Sequence, residues 1–90
     1  MKHIRADGTN EECDLRTDLT TLRKFVGGDV LIHYFNDGSS LLVNEEGNSL
    51  NLPVNRVATA ITELKDQPEI IFGDCLFLTS EEMRLMKTAS

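Results

Sequence analysis

Cations are scarce in this chain: nine Lys and Arg stand against fifteen Asp and Glu, for a formal net charge of −6 over 90 residues. Nucleic-acid binding draws much of its affinity from counterions released by neutralised phosphates, so this balance disfavours a nucleic-acid partner. The same charge would favour docking on a basic groove of a nucleic-acid-binding partner. Cysteine is also sparse. Cys13 and Cys75 are the two in the chain, far apart and outside any CxxC pairing, and both read as reduced thiols. The only histidines, His3 and His33, have no second His or Cys at metal-ligand spacing, which leaves no zinc pattern. No apolar run approaches the roughly 20 residues that span a bilayer. The opening residues Met1 to Asp7 lack the apolar core of a secretory signal, so the expectation is a cytoplasmic protein with no membrane association.

Catalytic signatures are missing as well. There is no GxSxG, GxxxxGK[ST] or HExxH and no EF-hand spacing. The acidic pairs Glu11-Glu12, Glu45-Glu46 and Glu81-Glu82 are adjacent residues, whose side chains diverge on a strand or a helix; solvated turns and capping account for them. Cys75 lies within Ile-Ile-Phe-Gly-Asp-Cys-Leu-Phe-Leu, an apolar setting that raises a thiol pKa and marks a core residue. Gly27-Gly28 close a helix, where carbonyls and not amides are free, so they make a poor anion site. The reading is a non-enzyme with no cofactor and no metal.

What is present is a single domain, 1–90, built from hairpins and short helices. Asp29 to Asn36 is a β-branched and aromatic run with apolar residues on both alternations, so both of its faces are expected to be at least partly covered. Asp37-Gly38 turns it into Leu41-Leu42-Val43, giving a central hairpin closed by the polar turn Asn44 to Gly47. Ala6-Asp7-Gly8 makes a second hairpin between His3–Arg5 and Thr9–Cys13, expected at an edge. Asp18 is placed as N-cap of a helix carrying Leu19, Leu22, Phe25 and Val26, with Gly27 at C′.

Ser49 to Pro53 reads as a short strand or an extended crossing segment. Asn55 caps a second helix, Arg56 to Lys65, with the stripe Val57, Ala58, Ile61 and Leu64. Ile70 to Leu78 reads as a strand interrupted at Gly73-Asp74, and Thr79 to Glu82 has capping-box spacing before a last short helix with Met83, Leu85 and Met86. The fold class is therefore α+β: a small, mostly antiparallel sheet with two to three short helices packed on one face.

The order of these pieces resembles a family of small uncharacterised proteins of phages, plasmids and bacterial genomes, grouped as domain of unknown function thirty-eight forty-six. The residues that carry the resemblance are Leu22 to Gly28, Asp37-Gly38, Leu42 to Gly47, Leu52 to Asn55, Ala58-Thr59 and Ile71 to Leu76, which span nearly the whole chain. Asp29 and the longer Glu63 to Glu69 connection depart from the family pattern. The resemblance brings no catalytic residue with it. It implies a phage or mobile-element setting, in which small acidic proteins act by binding.

Two functions follow as expectations. The first is a non-enzymatic binding protein of phage or mobile-element type that engages a host or defence protein through an acidic surface, with Asn44, Glu45, Glu46, Asn48, Asn55 and Arg56 as candidate contacts. The alternative is an oligomeric binder that sequesters a nucleotide-type small molecule, using backbone amides near Gly47 or Gly73 and the guanidinium of Arg56. Homo-oligomerisation through an exposed sheet edge is compatible with either.

Overall fold

A computed structural model describes residues 1–13 and 19–89 of the chain. It contains β1 (Lys2–Ile4), β2 (Asn10–Glu12), α1 (Leu19–Val26), β3 (Val30–Tyr34), β4 (Ser40–Asn44), α2 (Arg56–Leu64), β5 (Cys75–Leu78) and α3 (Ser80–Ala89). The strands form one sheet in the order β2-β1-β5-β4-β3. Every neighbouring pair is antiparallel, so the fold is α+β.

The middle of the sheet is β5, the strand that arrives last. Its alternation serves two cores at once. Cys75 and Phe77 join Ile4, Leu41, Val43, Phe35 and Ile71 under Ala58 and Ile61 of α2. Leu76 and Leu78 join Met1 and Leu42 under Leu22 and Phe25 of α1 and Met83 of α3. The expectation of helices on one face is therefore corrected: α2 covers one face and α1 with α3 the other. The physical reason lies in β4, where all five residues are buried and both alternations are apolar at Leu41, Leu42 and Val43.

The run read as the centre of the chain is displaced in the same way. β3 is an edge strand, and Leu31, Ile32 and Tyr34 are left exposed, Tyr34 at 57%. Both faces of the run are still partly covered, Val30 packing against the α1 core and Phe35 buried on the α2 side, while the edge position leaves the other apolar residues in solvent. At the far edge sits β2, with β1 inside it against β5. Ser49 to Pro53 is not extended either. Leu50 N–H donates to Glu46 O at 2.9 Å and Leu52 N–H to Gly47 O at 3.1 Å, so 45–51 winds into consecutive turns that end at Asn51 with φ 54°. Only Val54 pairs, in an isolated bridge to Phe72, and the expected strand from Ile70 shrinks to Cys75–Leu78. Gly73 breaks it: its φ is +79°, and a Cβ there would meet Leu52 Cδ1 at 2.8 Å.

The caps fall where the sequence puts them. Asn55 Oδ1 accepts from Ala58 N–H at 3.0 Å, and Thr79 and Glu82 exchange the two bonds of a capping box. Gly27 and Gly28 both donate to Arg23 O and so close α1. The Asp18 N-cap and the side chains of Leu19 and Met86 lie outside what is described.

Asn55 does more than cap. It is fully buried, and its Nδ2 donates to Ile4 O at 2.9 Å and Gly73 O at 3.0 Å, which ties α2 to β1 and to the turn before β5. Asn55→Ala removes the cap and strands two buried carbonyls, and should cost about 3 kcal/mol in chemical denaturation. Asn55→Asp keeps the cap acceptor but turns a carboxylate on both carbonyls, and should lose at least as much.

Charge adds a pH dependence. Asp37 in the β3–β4 turn is held below the usual carboxylate range by Lys65 and then by Ser39. For Glu82, burial pushes upward, but its bonds to the Met1 amino group and to Thr79 outweigh that and leave it lowered. Groups with depressed folded pKa values stabilise the fold above their unfolded pKa and lose that contribution as the pH falls through the folded one. The urea midpoint should therefore drop on acidification below the ordinary carboxylate range, and Asp37→Asn should make that fall shallower.

Candidate functional site

A cleft of about 420 Å³ opens on the α2 face of the sheet, where β3 and β4 end. Leu31 and Val43 form its floor, and Ile70, Ile71 and Phe72 form one wall. The turn residues Asn44, Glu45, Gly47 and Asn48 form the other wall, and Glu69 stands at its mouth.

Both walls are held from behind. Asn44 is buried, and its Nδ2 donates to Val26 O at 3.1 Å while its Oδ1 accepts from Glu46 N–H at 2.8 Å. This short polar side chain anchors the turn to the C-terminal end of α1. Gly47 then packs flat on the opposite wall, since a Cβ there would lie 3.1 Å from both Phe72 Cβ and Phe72 O. The wall 69–72 is strapped to α2: Ile71 N–H donates to Thr59 Oγ1 and Glu69 N–H to Thr62 Oγ1, each at 3.0 Å. Asn55 N–H donates to Ile71 O at 2.7 Å, and Gly73 N–H to Pro53 O at 2.7 Å. With its backbone fixed at so many points, the wall holds Ile70 out in solvent at 60% exposure.

Electrostatically the mouth is acidic. Glu45 and Glu69 line it, Glu46 is exposed beside it, and no Lys or Arg is among the lining residues. Glu69 Oε2 sits 3.0 Å from His33 Nδ1, and the His33 ring meets Phe35 edge-on at 5.2 Å. A carboxylate beside an imidazole is an acid–base pairing, but no hydroxyl or thiol lines the cleft to be activated by it. Cys75 is buried elsewhere, and burial, with Asp74 adding to it, pushes its thiol up to about 12. Among the described residues, no group of three His, Cys, Asp or Glu side chains is arranged to hold a metal ion, and no helix is long and apolar enough to cross a membrane.

The six candidate contacts separate. Glu45 and Asn48 line the cleft and Glu46 adjoins it, while Asn44 borders the cleft but is buried, with its side chain committed inside the fold. Asn55 is buried and spends its side chain inside the fold, and Arg56 is exposed at the start of α2, outside the lining. The backbone amides proposed for a nucleotide are also committed: Gly47 N–H donates to Asn44 O and Gly73 N–H to Pro53 O. A second groove of about 300 Å³, bordered by Lys24, Gly27, Pro53, Gly73 and Asp74, lies at the carbonyl end of α1 and carries a carboxylate of its own. Sequence reasoning missed Leu31, Glu69, Ile70 and Phe72. The available signal was Ile70, an apolar residue directly after the polar stop Asp66 to Glu69.

Residues 1–87 match the family model described as Domain of unknown function (DUF3846). The chain belongs to that family. No curated protein and no solved structure matches it. The DUF3846 match covers both walls of the cleft and all five strands.

The two cysteines offer a direct check on this geometry. Cys13 is half-exposed and Cys75 fully buried. A thiol reagent at mildly alkaline pH should modify Cys13 promptly and leave Cys75 unmodified until denaturant is added, as read by peptide mass mapping.

Proposed function

We propose that the protein is a small, non-enzymatic binding protein of phage or mobile-element type. In this reading, its cleft receives an apolar side chain of a host or defence protein whose neighbouring residues are basic. The observation that carries the reading is the combination at one site of an apolar floor and wall, open to solvent, with carboxylates at the mouth and no cation in the lining. An apolar anchor supplies affinity by leaving water, and a complementary charge at the rim speeds encounter and sets orientation. The acidic balance of the whole chain works in the same direction. The mobile-element setting rests on the resemblance of the chain to the phage and plasmid members of its family.

The cleft offers less to a nucleotide. Of the backbone amides near Gly47 and Gly73, those of the two glycines themselves are engaged within the fold, and Arg56 stands apart from the cleft.

The test is affinity capture from host cells with the protein as bait, compared across single variants. Glu45→Lys and Ile70→Asp should reduce recovery of the captured protein by about tenfold, while Glu63→Lys, an equal charge change on the exposed side of α2, should leave it unchanged. Equal recovery with all three variants would remove the cleft from the interaction.

A further inference from the structure

The cleft shares a residue with the open edge of the sheet. Leu31 lines the cleft and belongs to β3, whose outer side pairs with nothing among the described residues. Glu45 N–H donates to Asp29 O at one end of the β3–β4 pair, and Phe35 N–H to Ser39 O at the other. Antiparallel ladders alternate, so the odd residues of β3 face β4, and Val30, Ile32 and Tyr34 turn their N–H and C=O groups outward.

The two edges of the sheet differ in kind. β2 is three residues long and carries Glu11 and Glu12, both exposed, which discourages a further strand. β3 has five residues, with no proline and no Asp, Glu, Lys or Arg, and its exposed side chains include the strand-favouring Ile32 and Tyr34.

We propose that the partner binds by strand addition: an extended segment pairs antiparallel with the outer edge of β3 and reaches the cleft from there. This rests on the cleft reading above and names its recognition element. The register dictates the chemistry. The segment residue opposite Leu31 emerges at the cleft and is apolar. Two positions before it in the segment, the residue opposite His33 emerges beside Glu69 and is basic. The residue between them, opposite Ile32, lies on the other face of the sheet next to Tyr34 and is apolar. The recognised pattern is basic-apolar-apolar, and charge complementarity with Glu69 and Glu45 selects it over a neutral or acidic strand.

A second copy of this chain fits the edge less well. A two-fold centred on Ile32 would set each His33 across from the other copy's Leu31 and so draw both Glu69 carboxylates, each held by its own His33, onto one face. Two chains of net charge −6 would meet with like charges adjacent.

The experiment titrates the full chain with the capped peptide Ser-Thr-Lys-Val-Leu-Thr-Ser and reads backbone amide shifts and hydrogen exchange. Two further peptides carry an N-methyl group, one on the Val, whose N–H would face β3, and one on the Leu, whose N–H would face away. Strand addition predicts new protection of the Val30, Ile32 and Tyr34 amides. It also predicts at least a tenfold loss of affinity for the N-methyl-Val peptide and little change for the N-methyl-Leu peptide. Replacing the peptide Lys by Glu should abolish binding.

Equal binding of both N-methyl peptides, with shifts confined to Asn48 and Ile70, would overturn strand addition and leave the cleft reading standing. No binding of any peptide would overturn it too, with the cleft still judged by the Glu45→Lys capture. Protection of the same three amides without peptide, together with a concentration-dependent dimer mass, would assign the edge to a second copy instead.

Discussion

A single buried side-chain amide joins three pieces of this fold that are distant from one another in the chain. Asn55 accepts from the first turn of α2 and donates to carbonyls of β1 and of the turn that launches β5. Burying an amide is costly unless each of its groups finds a partner, and here each does. The position of α2 over the sheet follows from that satisfaction. So does the entry of β5 into the middle of the sheet, because the Gly73 carbonyl is fixed just before the strand begins. The wall of the cleft hangs from the same point, through the bond from Asn55 N–H to Ile71 O and the threonines one and two turns further along α2.

The consequence for the site is rigidity in the part that would meet a partner. Ile70 is an exposed apolar residue on irregular backbone, a combination that normally relaxes toward burial. Its neighbours on both sides are fastened to α2, so it stays presented to solvent. Across the cleft, Asn44 plays the corresponding part by bonding to the end of α1 and to its own turn. An apolar surface held open in this way loses little conformational freedom on binding, which leaves more of the contact energy for affinity.

Local chemistry was readable in the sequence wherever one residue type has one use. Asn55, the Thr79–Glu82 pair, Gly27 and the two Asp-Gly turns all act as their types and spacings indicate, since caps and tight turns are decided within four residues. Strand order was not readable. Asp29 to Asn36 and Leu41 to Val43 are similarly apolar, yet one lies at an edge and the other inside the sheet, because β5 pairs with β4 and not with β3. Periodicity reports how many faces are apolar and not which neighbour covers them. For the same reason the cleft was half visible. Asn44, Glu45 and Asn48 fall within five residues and announce themselves together, whereas Leu31 and Ile70 are separated by the whole of β4 and α2 and meet only once the sheet is assembled.

The unequal edges of the sheet set a limit on assembly. A sheet open on both sides is bivalent and can grow into a filament, each chain passing a free edge to the next. With Glu11 and Glu12 discouraging a strand at β2, the strand addition proposed at β3 would have a valence of one. A strand that joined β3 as proposed would use up the more inviting edge of the described sheet, and association there would stop at a single event. For a chain that leaves Ile32 and Tyr34 exposed on its edge strand, that would be the difference between a stoichiometric complex and an aggregate.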